Sequence, residues 1–138
     1  MSEGAVYLDA SALVKLVVWE AESETLRTYV SGLAEGGAAV VTSRISVVEV
    51  TRAVARRMGL VPESVATVFA SVAVREVTAR IVDQAAELAP ASVRSLDAIH
   101  LASALELGPE LVAFVTYDAR LAEAAAAAGL PVVAPKPA

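Results

Sequence analysis

Ala5-Val6-Tyr7-Leu8-Asp9 decides the fold. Four consecutive apolar residues without a polar alternation describe a strand covered on both faces, the pattern of a parallel sheet sandwiched between helices. The aspartate that closes the run stands where such sheets place their ligands, beyond the carboxyl end of a strand. Working outward, Ser11 is expected to cap a helix over residues 12–18, and a second helix over 22–33 ends at Gly36-Gly37. Residues 38–42 are the next apolar run, and Ser43 introduces a long helix over 45–58 closed by Gly59. Pro62 opens another helix to about residue 71, followed by a short strand at 72–77 and a helix over 78–88 that Pro90 ends. Ser95 is placed to cap a helix over 96–107, stopped by Gly108-Pro109. A strand at 111–116, a helix capped by Asp118 and a last strand at 131–133 complete the chain. This alternation predicts an α/β, three-layer fold: a central parallel sheet of four to five strands, helices on both faces, and right-handed crossovers.

The 138 residues are expected to form a single domain, 1–138, large enough for a core without staples. Hydrophobic residues make up 57% and aromatics only 4%, so packing rests on Ala, Val and Leu. A mean hydropathy of +0.61 raises the question of a membrane span, but no apolar run approaches the ~18 residues one needs. Met1-Ser2-Glu3-Gly4 carries an acid where a secretory signal carries positive charge, so the expected location is the cytoplasm. The absence of cysteine excludes disulfides, thiolate zinc sites and a cysteine nucleophile. A net charge of −5 argues against nonspecific coating of nucleic acid but is compatible with clustered acids that bind divalent cations.

Asp9 and Asp118 lie at strand ends, Asp97 in the first turn of its helix, and Glu49 one turn into the helix after the second strand. The topology therefore predicts that the four meet at one edge. Each alone has a plainer reading. Asp97 and Asp118 can be favourable charges at helix starts, and Glu49 can pair with Arg52 at i+3. Asp9 resists such a reading, because an acid ending a buried strand must be solvated, capped or liganded. Carboxylates brought together repel unless a cation sits among them. Hard oxygen donors without His or Cys suit Mg²⁺ or Mn²⁺, one ion or two.

The segments Tyr7-Leu8-Asp9-Ala10-Ser11-Ala12-Leu13-Val14-Lys15-Leu16, Ser46-Val47-Val48-Glu49-Val50, Ser95-Leu96-Asp97-Ala98-Ile99-His100-Leu101-Ala102-Ser103-Ala104 and Thr116-Tyr117-Asp118-Ala119-Arg120-Leu121 resemble the PIN-domain ribonucleases. Within that family they resemble the VapC toxins of toxin–antitoxin pairs. The likeness runs through nearly the whole chain, and the segment around Asp97 is its most specific part. It implies endonucleolytic RNA cleavage dependent on Mg²⁺ or Mn²⁺, leaving 5′-phosphate and 3′-hydroxyl ends. It maps the acidic positions onto Asp9, Glu49, Asp97 and Asp118, with Asp9 and Asp97 as the main metal ligands. Glu49 and Asp118 would act through water or a second ion. It also implies a homodimer and a small cognate VapB-type antitoxin that silences the enzyme. Ser11 and Thr116 match small hydroxyl positions near the metal; a helix cap and a plain strand residue are their alternatives.

Other residues carry weaker signals. Lys15 could reach a phosphate or be a solvated surface charge. Arg44, Arg52, Arg56, Arg57, Arg94 and Arg120 are candidates for an RNA rim. His100, the single histidine, is expected to be a partly buried structural residue rather than a general base, and Trp19 to pack beneath the next helix, with anchoring of a partner peptide as its alternative. The rival function is a noncatalytic PIN-like module that binds RNA or protein, against which four intact acids argue. Phosphotransfer folds fit poorly: a haloacid-dehalogenase-type site wants an acid at position 11, where Ser11 stands. A receiver domain wants its acid after the third strand, which here runs into Val77-Thr78.

Overall fold

β1 (Ala5–Leu8) is the middle strand of a five-stranded sheet in a computed structural model that describes residues 4–138. On one side it pairs with β2 (Ala39–Ser43), which pairs with the edge strand β3 (Ala73–Arg75). On the other side it pairs with β4 (Leu111–Val115), and β4 with β5 (Val132–Val133). All four pairings are parallel, as the continuous apolar runs required. The chain leaves β1 toward β2 and later returns to the opposite side of β1 as β4, so the order of winding reverses at β1. A crevice opens outside the strand ends at such a reversal. The residues that follow β1 and β4 flank it.

Alternation along the central strands feeds two cores. Val6, Leu8, Ala113 and Val115 face one core with Ala12 and Leu13 of α1 (Ala10–Val17), Leu26 of α2 (Ser23–Glu35), Val50 and Val54 of α3 (Ile45–Met58), and Val65 of α4 (Glu63–Ala70). Ala5, Tyr7, Val41 and Phe114 face the other, against Leu101 and Ala104 of α6 (Ser95–Leu105) and Leu121 and Ala125 of α7 (Ala119–Ala127). A further helix, α5 (Ala79–Glu87), packs against α6 and buries Ile81. Helices therefore cover both faces. The Tyr7 and Phe114 rings stack in the second core with centroids 5.2 Å apart and planes 2° apart.

Three local expectations are corrected. α1 starts at Ala10, and its cap is Asp9, not Ser11: the extended end of β1 (φ −80°, ψ −179°) already sets the Asp9 carboxylate over the first turn. Ser95 is the first residue of α6 rather than its cap, and that helix has no side-chain cap hydrogen bond. β3 is three residues long, because pairing with β2 ends at Ser43↔Arg75. Asp118 does cap α7, accepting from the Arg120 and Leu121 amides. The acidic character of the N-terminus rests on Met1 to Glu3, which lie outside the described residues.

Candidate active site

Asp9 is 3% exposed and held from three sides. Its Oδ1 accepts from the Ala12 amide at 3.0 Å and the Ser11 hydroxyl at 2.7 Å, and its Oδ2 accepts from Thr116 Oγ1 at 2.6 Å. Burial pushes the Asp9 carboxyl above its ordinary value, and the bonds from Thr116, Ser11 and Ala12 only partly offset that. Thr116, the residue after β4, is the joint: its hydroxyl donates to Asp9 and accepts from the Asp118 amide at 3.1 Å. Ser11 is a second joint, donating to Asp9 and accepting from the Tyr117 amide at 2.8 Å. Two hydroxyls thus lock the ends of β1 and β4 together.

Asp97 sits half-buried in the first turn of α6. Burial raises its pKa, the charges of Asp118 and Glu49 raise it further, and His100 and then Arg94 partly offset them. Asp118 is exposed, with Oδ1 engaged by the Arg120 and Leu121 amides at 2.9 and 3.1 Å. Glu49, half-buried on α3, does not pair with Arg52. Its Oε1 meets His100 Nε2 at 2.7 Å, because α3 and α6 flank the same strand end from opposite faces. His100 is 1% exposed, and its Nδ1 meets the Tyr7 hydroxyl at 2.7 Å. The Tyr7 hydroxyl is held well above its usual pKa, first by burial and then by the charges of Asp9 and Glu49. Acids from β1's end, α3, α6 and the cap of α7 therefore act electrostatically on one locality.

The gathering is looser than a finished chelate. Among the described residues, no three Asp, Glu or His side chains stand as a group able to hold an ion. Asp9, Glu49 and Asp118 are each engaged in hydrogen bonds of their own. The donor chemistry nonetheless fits Mg²⁺ or Mn²⁺. The acids offer hard oxygens, and Mg²⁺ is ordinarily bound by one or two carboxylates while keeping several waters. Asp9 Oδ2 carries one hydrogen bond and Glu49 Oε2 carries none among the described residues, which leaves lone pairs to offer. Repulsion between Asp97 and its acidic neighbours is the strain a cation would relieve.

Two arginine-lined cavities flank the acids, beside a smaller one of about 260 Å³ lined by Asp118 and Thr116. One, about 420 Å³, is lined by Asp97 with Arg94, Arg120, Val93 and Ala124. The other, about 540 Å³, is lined by Glu49 and Ser11 with Arg52, Arg56, Val48 and Leu96. None of these four arginines has an ion-pair partner among the described residues. By contrast, Arg44 is tied to Glu76 at 2.6 Å and Arg57 to Glu20 at 3.2 Å. Lys15 is neither a free surface charge nor aimed at the acids. It pairs with Glu22 at 2.9 Å and Glu20 at 3.7 Å and lies over the Tyr117 ring, 4.8 Å from its centroid. Trp19 does not pack beneath the next helix; it is 60% exposed with the Arg27 guanidinium over its ring. Sequence reasoning missed the Tyr7–His100–Glu49 chain. Its one signal was a lone histidine in an apolar helical stretch, where burial demands partners.

Comparison with known proteins gives a consistent set of relatives. Residues 6–127 match the PIN domain family. The chain is 39% identical to ribonuclease VapC46 of Mycobacterium tuberculosis over 131 residues, covering 95% of this chain and 98% of the relative. It is 42% identical to ribonuclease VapC35 of the same species over 135 residues, covering 94% and 96%. Among solved structures, Mycobacterium tuberculosis VapC20, described as a sarcin-ricin loop cleaving toxin, superposes with a TM-score of 0.70 at 23% identity. That match covers 96% of this chain and 100% of that one.

Proposed function

We propose that this chain, which belongs to the PIN-domain family and within it to the VapC-type ribonucleases, is the endoribonuclease toxin of a VapBC-type toxin–antitoxin pair and cleaves RNA with the help of Mg²⁺ or Mn²⁺. The observation that carries this reading is the convergence of like charge: Asp97 feels both Asp118 and Glu49, beside the buried Asp9. An uncompensated cluster of this kind lowers stability, and a function as cation holder accounts for it.

A bound divalent ion would lower the pKa of an attacking water and neutralise charge on the scissile phosphate. Asp9 and Asp97 would hold it directly, and Glu49 and Asp118 through water or toward a second ion. The chain's own contribution is geometric. Ser11 and Thr116 fix both oxygens of Asp9, so that acid cannot swing. Arg94 and Arg120 on one side, and Arg52 and Arg56 on the other, have no ion-pair partner among the described residues and offer their guanidiniums to the phosphates of a strand crossing the acids. They answer how a protein of net charge −5 attracts RNA: the positive charge is local.

Regulation follows from the same electrostatics. A basic side chain of a VapB-type antitoxin could enter the acids and compete with the cation. Exposed apolar residues, among them Trp19, Met58, Leu60 and Val61, favour protein partners, the antitoxin and a second copy in a homodimer. Among the described residues no helix is long and apolar enough to cross a membrane, in keeping with action on RNA in the cytoplasm.

The test is an RNA cleavage assay titrated with Mg²⁺ or Mn²⁺, with Asp97→Asn as control. Cleavage that appears with the metal, leaves 5′-phosphate ends and is lost in the variant is the expected result. Full cleavage in chelator, or by the variant, would overturn the metal-dependent reading.

A further inference from the structure

We propose that His100 is a positioning residue that holds Glu49 toward the acids, with Tyr7 fixing which ring nitrogen of His100 carries the proton. The inference rests on the metal-dependent reading above and goes beyond it by giving a role to two residues that touch neither metal nor RNA.

The chain of contacts is continuous and short. Tyr7 Oη lies 2.7 Å from His100 Nδ1, and His100 Nε2 lies 2.7 Å from Glu49 Oε1. Tyr7 and His100 are buried, so each polar atom must find its partner within the protein. Direction follows from the ends. A phenol sealed in the core, ordinarily protonated at neutral pH and 2.7 Å from Nδ1, donates to that nitrogen. An Nδ1 that accepts leaves the proton on Nε2, and Nε2–H then donates to the Glu49 carboxylate. The ring is polarised from one side and delivers its hydrogen bond on the other.

Packing makes the arrangement single-valued. Tyr7 stacks on Phe114 at 5.2 Å and meets the His100 ring edge-on at 5.9 Å and 79°. Neither ring can turn without opening the second core. Glu49 is a flexible side chain on a partly exposed stretch of α3, and unrestrained it would sample several rotamers. With Oε1 held by His100, Oε2 has no hydrogen bond among the described residues, and Glu49 lines the cavity that Ser11 and Arg52 also line. A carboxylate so anchored presents one oxygen at a fixed place. Hydrogen-bond partners of a ligating carboxylate typically change metal affinity about 10–100-fold when removed.

The experiment measures Mn²⁺ binding to the purified, RNA-free protein for the unsubstituted chain, Glu49→Gln, His100→Ala, His100→Gln, Tyr7→Phe and the Glu49→Gln/His100→Ala double variant. Melting is monitored to confirm folding. Glu49→Gln and His100→Ala are each expected to weaken Mn²⁺ by about 10-fold, and the double variant no more than either single one, because both remove the same restraint. His100→Gln, whose amide can still donate to Glu49, is expected to recover part of the loss. In RNA cleavage His100→Ala should lower kcat and leave KM unchanged. Independently of metal, ¹⁵N NMR of the unsubstituted protein should show His100 protonated on Nε2 and bare on Nδ1, with Tyr7→Phe releasing that preference.

Additive losses in the double variant, or an unchanged Mn²⁺ affinity in His100→Ala, would overturn the positioning role while leaving the metal reading intact. A proton found on Nδ1 would do the same, and it decides the matter even if His100→Ala fails to fold. Absence of any Mn²⁺ binding by the unsubstituted protein would sink both.

Discussion

The acids divide into two halves that differ in how much of their geometry the protein has already fixed. On the β1 side, Asp9 is buried and gripped by Ser11, Thr116 and the Ala12 amide, and Glu49 is tied through His100 to Tyr7. On the α6–α7 side, Asp97 is half-buried with no hydrogen bond to its carboxylate among the described residues, and Asp118 is exposed and secured only by its own helix amides. One half is preorganised, which lowers the reorganisation needed when a cation arrives. The other is open, which lets water and a phosphate in. A nuclease needs both, since a fully clamped site excludes substrate and a fully open one positions nothing.

The sharpest way to break the comparison is to neutralise one acid from each half. Asp9→Asn and Asp97→Asn are each expected to lower RNA cleavage by about 10²-fold or more, the scale for removing one preorganised electrostatic group. Their effects on the metal-free protein should differ. Asp9 bears mainly the penalty of burial, Asp97 a burial penalty plus repulsion from Asp118 and Glu49. Asn at position 9 can still accept from Ala12 and Ser11, so Asp9→Asn should melt higher than the unsubstituted chain. Asp97→Asn should melt higher too, and its gain should shrink in 1 M salt, where the repulsion is screened. Calorimetry at low and high salt separates them; equal salt sensitivity would erase the distinction.

Next in size is the grip itself. Thr116→Val keeps the shape of the side chain and removes the hydroxyl that joins Asp9 to the Asp118 amide. A buried carboxylate left short of a donor costs roughly 1–3 kcal/mol. Urea unfolding should show that loss, with cleavage falling as well. Stability unchanged by Thr116→Val would mean the buried half is not clamped in the way described.

A smaller effect is expected with pH. The folded-state pKa values of Asp9 and Asp97 are both raised from 3.8, so their ionised forms are disfavoured by folding. The resulting destabilisation is fully present above the folded pKa. It is relieved as pH falls through that value, and is gone near 3.8. Metal-free stability should therefore gain from these two groups on acidification from neutrality. Glu22 and Glu76, whose pKa values lie below 4.5, act in the opposite sense only as pH falls through 4.5 and below. The difference in Tm between the unsubstituted protein and an Asp9→Asn/Asp97→Asn double variant isolates the first contribution. It should stay constant above the folded-state pKa values, narrow as pH falls through them and vanish near 3.8.

Both halves were legible in the sequence to different depths. Strand-ending Asp9, the cap Asp118 and the order of elements follow from apolar runs and punctuation, which are local. The parallel sheet and its two flanking helix layers follow from the continuous apolar runs, whereas the strand order comes from the structure alone. What the chain could not announce is which distant groups meet. For Glu49 the sequence offers the acidic site and, as its plainer alternative, a pair with Arg52 along the helix, whereas its hydrogen-bond partner is His100, fifty-one positions away across the sheet edge. For Lys15 the sequence leaves a phosphate contact and a solvated charge open, yet Glu20 and Glu22 curl back to meet it after the turn that ends α1. Ser11 reads as a helix cap or, by the resemblance, as a small hydroxyl beside the acids. The structure uses its hydroxyl as a cross-link between β1's end and β4's. Long-range pairing depends on where backbones cross, and no periodicity encodes that.

The smallest expected effect belongs to the open half and tests what it is open to. Arg94 and Arg120 line the cavity beside Asp97 without ion-pair partners among the described residues. If they meet RNA phosphates, replacing either by Ala should raise KM for RNA a few-fold and leave kcat nearly unchanged. It should also lower the slope of log affinity against log salt by about 0.7–0.9, the share of one phosphate contact. Arg44→Ala is the matched control, since its guanidinium is already committed to Glu76 at 2.6 Å. Should Arg44→Ala shift the salt slope as much as Arg94→Ala, the positive charge that draws in RNA is spread over the surface, and the open half has no special claim to the substrate. A slope that moves only with Arg94 and Arg120 would instead place one or two phosphates directly beside Asp97, within reach of the acid whose charge is least compensated.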